Sequence, residues 1–98
     1  MSPTARARAA IEAATLPQGW EPLPPVGRWD RCASLEKPGT IAALHLRTVA
    51  PAGTVEVEGS IRRDGVPGRV CVQWVGDFSV LKTGISYVCT ALLVRAPQ

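Results

Sequence analysis

Cys32, His45, Cys71 and Cys89 supply the ligand types of a Cys3His zinc site. Their spacing argues against one. Structural zinc sites draw their ligands from close pairs, because two ligands on one turn fix half of the tetrahedron. Here each ligand falls on a separate expected strand. Strand alternation puts Cys89 on one side with Ile85, Tyr87 and Leu93, and sets Cys71 beside Gln73. An odd count of 3 Cys excludes a complete internal disulfide framework. The expectation is structural thiols in a reducing compartment, with no metal and no cofactor.

Other catalytic constellations are equally incomplete. His45 is the single histidine, and its neighbour on the polar side of its strand is Arg47, which disfavours a proton-accepting role. Glu56 and Glu58 share a strand face about 7 Å apart, a separation that suits an acid/base pair but is routine on a solvated face. Neither GxGxxG nor GxxxxGK[ST] occurs, so no glycine-rich phosphate cradle is present. The chain is expected not to be an enzyme. The strongest polar feature is the segment Arg62-Arg63-Asp64-Gly65-Val66-Pro67-Gly68-Arg69, which carries three guanidiniums around a hairpin tip. Such a cluster suits phosphate or the carboxylates of a neighbouring subunit, and reads equally well as a solvated turn. It lacks aromatic neighbours for base stacking, so nucleic-acid binding is not expected of it.

The elements that must position these residues follow from periodicity. Residues 3–16 read as a helix: Ser2 is an N-cap, Pro3 fits the first turn, and Ala7, Ala10, Ile11 and Ala14 form one stripe. Residues 17–27 are a proline-rich extended connector, with Trp20 and Leu23 as its anchors. Residues 28–96 form the β region. Arg28–Leu35 reads as a short edge strand, closed by the turn Lys37-Pro38-Gly39. In Thr40–Val49, Leu44 and Leu46 oppose His45 and Arg47. In Thr54–Arg62, Val55, Val57, Gly59 and Ile61 oppose Glu56, Glu58, Ser60 and Arg62. Arg69–Gly76 alternates in the same way. Asp77–Gly84 is too short for a helix, and Ile85–Arg95 reads as a last strand, apolar on both sides. The fold class is α+β: an N-terminal helix plus a mostly antiparallel sheet of four to five strands.

Composition bounds the rest. With 98 residues, 46% hydrophobic and 19% charged, the chain is expected to be one small globular domain, residues 1–98. No apolar run reaches the ~18–20 residues of a membrane span. Glu12 interrupts the stretch behind Arg6 and Arg8, so no secretory leader is expected. A net charge of +3 is mild for a dedicated nucleic-acid binder.

The opening half carries a resemblance. ARARAAIEAATLP, then GWEPLPP, then RWDRC, then IAALHLRTVAPAG resembles, over about residues 5–53, small tail-terminator proteins of tailed phages. The family usually places a second helix between its third and final strands, where Asp77–Gly84 leaves no room. The resemblance implies an α+β subunit that closes into a ring, usually hexameric, with itself and other virion proteins as partners. It implies a place in the virion or the host cytoplasm. An oligomer is also the expectation from the two-sided final strand, whose flank one small helix cannot cover. Leu92 and Val94 are the residues expected under a partner or the helix, and Arg62, Arg63 and Arg69 the expected polar contacts with a neighbour. The rival reading is a small basic module that binds nucleic acid or an acidic protein, for instance as an inhibitor of a host defence complex.

Overall fold

Four alternating segments and one short extended stretch build a single antiparallel meander in the computed structural model, which describes residues 1–95, excluding the side chains of Val94 and Arg95. The strands are β1 (Glu21–Leu23), β2 (Arg31–Lys37), β3 (Thr40–Val49), β4 (Thr54–Arg63) and β5 (Val70–Asp77), in the sheet order β1-β2-β3-β4-β5. Helix α1 (Pro3–Ala13) precedes the sheet. A single 3-10 turn (Phe78–Val80) leads into helix α2 (Leu81–Arg95) behind it. The fold is α+β.

Register makes one sheet face apolar. Ala33, Leu44, Gly59 and Val72 stand in one row across β2 to β5, and Leu46, Val57 and Trp74 in the next. Both helices cover this face. Their buried residues (Ala7 and Ile11 from α1; Leu81, Ile85, Val88 and Leu92 from α2) join the strand residues in one core.

Local chemistry explains the helix ends. Ser2 Oγ accepts from Ala5 N–H at 3.1 Å, and Pro3 opens α1 where its missing donor costs nothing. The helix stops at Ala13, short of the expected residue 16. There the Arg31 guanidinium donates to the carbonyls of Ile11 and Ala14 at 2.8 and 2.6 Å. Ile11 O also accepts from Ala14 N–H at 3.4 Å, and a cation at these last carbonyls suits the negative end of the helix dipole.

Two expectations about strands are corrected. The segment read as an edge strand over residues 28–35 begins instead at Arg31 and lies inside the sheet, because residues 21–23 of the proline-rich connector pair outside it. Pro22 is tolerated there because β1 is an edge. Trp20 packs against the core as expected, but Leu23 is 44% exposed and anchors nothing.

The larger correction concerns the C-terminus. The segment read as the strand Ile85–Arg95 is helix α2. Read with period two, its apolar residues fall on both sides. Read with period 3.6, Leu81, Ile85, Val88 and Leu92 make one buried stripe. Asp77 helps start the chain turning, since its carboxylate accepts from Ser79 N–H at 2.8 Å. Leu92, expected beneath a partner or the N-terminal helix, is 2% exposed and itself sits on a helix that packs on the sheet of its own chain. The side chain of Val94 lies outside the described residues.

Glycines let α2 come this close. A Cβ on Gly59 would stand 2.5 Å from Val88 Cγ1 and 2.7 Å from Leu92 Cδ1. A Cβ on Gly84 would stand 2.2 Å from the Trp74 ring. In a free helix, Gly→Ala gains about 1 kcal/mol. Here the rigid indole blocks the methyl group, and overpacking of this kind costs ~1–3 kcal/mol. Gly84→Ala is therefore expected to lower stability in urea unfolding; a gain would mean that α2 does not rest on Trp74.

Candidate functional site

The sheet face opposite the helices is covered by no helix of the described chain, and the sequence reading's candidate chemistry collects there. Strand parity sends Cys32, His45, Arg47, Glu56, Glu58, Cys71 and Gln73 to this face. Register sets Cys32, His45, Glu58 and Gln73 in one row, with Arg47, Glu56 and Val75 in the next.

At its centre is a buried carboxylate. Glu56 is 4% exposed and accepts hydrogen bonds from Arg47 Nε and Gln73 Nε2. An ionised carboxylate has no donor of its own, so burial is tolerable only with donors on both oxygens. Arg47 supplies charge as well as a hydrogen bond, and it is itself covered. Its guanidinium carbon lies 4.9 Å from the Trp29 ring centroid, in cation–π contact. Trp29 also meets the His45 ring, with centroids 5.3 Å apart and planes tilted by 44°. The chain entering β2 is tied down beside them: Asp30 N–H donates to Leu46 O at 2.8 Å, and Asp30 Oδ2 accepts from Thr48 N–H at 2.9 Å.

Most of these groups already have partners within the chain. Glu56, half of the acid/base pair considered from sequence, is held by two donors. The His45 ring lies tilted against the Trp29 indole. Cys32 lies directly opposite His45 but is buried at 2% exposure. Cys71 is exposed, opposite Ser60. Cys89 lies on α2, on the other side of the sheet, so the zinc ligand types are split between two layers. Among the described residues, no group of three or more His, Cys, Asp or Glu is placed to hold a metal ion.

The arginine segment forms the β4–β5 connection, beside the β2–β3 turn: Asp64 N–H donates to Gly39 O at 2.9 Å. Arg62 and Arg69 are exposed. Arg63 is half-buried, and its Nε has no hydrogen-bond partner among the described residues. On the helix side, an open apolar groove of about 850 Å³ runs between the end of α1 and α2, lined by Ala14, Leu16, Phe78, Ile85, Cys89 and Leu93 among others. Burial pushes the Cys89 thiol up to about 11, which keeps it protonated at neutral pH.

Sequence reasoning placed His45 with Arg47, Glu56 with Glu58, and Cys71 with Gln73 on the faces the structure shows, but gave Cys32 no face and missed the cluster. Trp29 carried no signal, because the contact that gives it a role comes from β3. Gln73 was seen only as a neighbour of Cys71. Comparisons with protein-family models, with curated proteins and with solved structures found no match to this chain.

Two measurements check the electrostatics. Arg47→Leu leaves a buried carboxylate without its cation, so a loss of about 3 kcal/mol is expected, while Arg47→Leu with Glu56→Leu recovers most of it. A single variant costing under ~1 kcal/mol would remove the carboxylate from its central role. For Cys89, the thiolate is the reactive form and burial disfavours it. Its alkylation rate in the native protein is therefore expected to keep rising from the ordinary thiol value of 9.0 toward about 11. A plateau near pH 9 would contradict the burial.

Proposed function

We propose that this chain is a non-catalytic structural subunit that works by self-association. The observation that carries the reading is the edge of β5, which pairs only with β4 among the described residues, beside a sheet face that no helix of those residues covers. β5 has 8 residues, ends the sheet order and has no proline in it. Natural sheets blunt such an edge by shortening it, charging it, bulging it or covering it. The opposite edge is blunted, since β1 has 3 residues and contains Pro22. Exposed apolar side chains extend the surface: Ile41 and Val75, at 52% and 51% exposure, stand on the uncovered face.

The chemistry of the face supports binding over turnover. Its buried carboxylate is paired with Arg47 and Gln73, and its histidine ring lies against Trp29. The original ground for an oligomer, an uncovered final strand, no longer applies, because α2 buries one flank of that segment within the chain. The finer reading rests on the first-half resemblance. It is a ring-forming tail-terminator or head–tail subunit, with other virion proteins as partners and the virion or host cytoplasm as its place. Arg62, Arg63 and Arg69 remain the proposed polar contacts with a neighbour.

Light scattering on the purified chain is expected to give a mass above the monomer, with a melting temperature that rises with concentration. A monomer at millimolar concentration with a constant melting temperature overturns self-association. Closed rings in electron micrographs would support the finer reading; discrete dimers would remove the ring and leave self-association in place.

A further inference from the structure

We infer that two copies join by antiparallel pairing of β5 with β5 about a two-fold axis at Gln73, in a single register. This rests on the self-association proposed above and not on its ring form: a two-fold strand contact alone gives a closed pair, and a ring would need a second contact between pairs.

The free edge presents a defined row of backbone groups. Phe78 N–H donates to Gly53 O at 2.9 Å, at the end of the β4–β5 ladder. Antiparallel pairing alternates, so the N–H and C=O groups of Asp77, Val75, Gln73 and Cys71 point away from β4 into the open edge. The side chains of the same residues are exposed. Nothing within β5 repels a second copy, because its one charged residue, Asp77, sits at the far end.

Parity and charge select the register. Two copies must pair residues of like parity, so that the apolar face of one continues the apolar face of the other. Of the registers that satisfy this, the one centred on Gln73 sets Arg69 opposite the partner's Asp77, and does so at both ends. It also sets Val72 opposite the partner's Trp74 on the helix side, an aromatic and β-branched pair that sheets favour. On the open side it sets Cys71 opposite the partner's Val75. A shift of one strand step in either direction loses the charge pairing: Arg69 then faces the partner's Val75, or Asp77 faces the partner's Cys71. Asp77 is ready to be an anion, because the Ser79 hydroxyl and backbone N–H hold its carboxyl below the usual range. Arg69 is the one loop arginine that immediately precedes β5, which gives the arginine segment a specific use. The β1 edge offers too short a ladder for head-to-tail pairing, so the strand contact closes on itself.

Cross-linking reads the register directly. Val75→Cys is expected to form disulfides with the partner's native Cys71 under mild oxidation and give a covalent dimer. The native chain is expected not to cross-link, because the two Cys71 residues lie four residues apart along the pair, roughly 13 Å. That is well beyond the ~7 Å limit for a disulfide. Arg69→Glu should weaken the dimer at least tenfold, and Arg69→Glu with Asp77→Lys should restore it, with a thermal melt confirming the fold of each. A native chain that cross-links through Cys71 overturns the register. Dimers by light scattering that Val75→Cys fails to trap overturn the β5 contact but leave self-association standing. A monomer that never cross-links overturns both.

Discussion

The close seating of α2 on the β4–β5 half of the sheet is the constraint on which the rest depends. A chain of 98 residues has a thin core, and every layer in it must be nearly in contact. Gly59 on the sheet gives its space to Val88 and Leu92, and Gly84 on the helix gives its space to the Trp74 ring. A glycine inside a helix is unfavourable by itself. Its presence makes sense only as room for an indole that would otherwise hold the two layers apart.

That seating leaves the sheet two-sided in an unequal way. One face is dry and covered by both helices. The other must be stable with no helix over it, and it solves this with paired polar groups instead of a second core. Glu56 is buried between Arg47 and Gln73, and Trp29 closes over the arginine. A buried ion pair is weak evidence for net stability, but removing either partner strands the other without its charge. The same cluster holds the side chains that looked most like chemistry. Ile41 and Val75 stay exposed on this side, next to the edge of β5, which pairs only with β4 among the described residues.

Much of the fold was readable from local pattern. The Ser2–Pro3 start of α1, the Pro38-Gly39 turn and the two faces of β3, β4 and β5 all follow from residue types at short range, and the structure shows them. Helix α2 was not readable in this way. Its β-branched residues and the run Ala91-Leu92-Leu93 suit a strand period as well as a helical one, and a short apolar run does not separate the two. The helix prevails because the helical stripe Leu81, Ile85, Val88 and Leu92 has a glycine-relieved surface to land on, and that surface exists only once β5 has paired with Gly59 and its neighbours on β4.

By itself, then, the sequence determined the fold class and the faces of the long strands. Tertiary structure decided which flank of residues 81–95 is covered, where the sheet ends, and which polar side chains neutralise one another. Alternation is a property of neighbours along the chain and survives without a fold. Register is a property of neighbours across it, and Trp29, Arg47, Glu56 and Gln73 meet only after separate segments have been aligned.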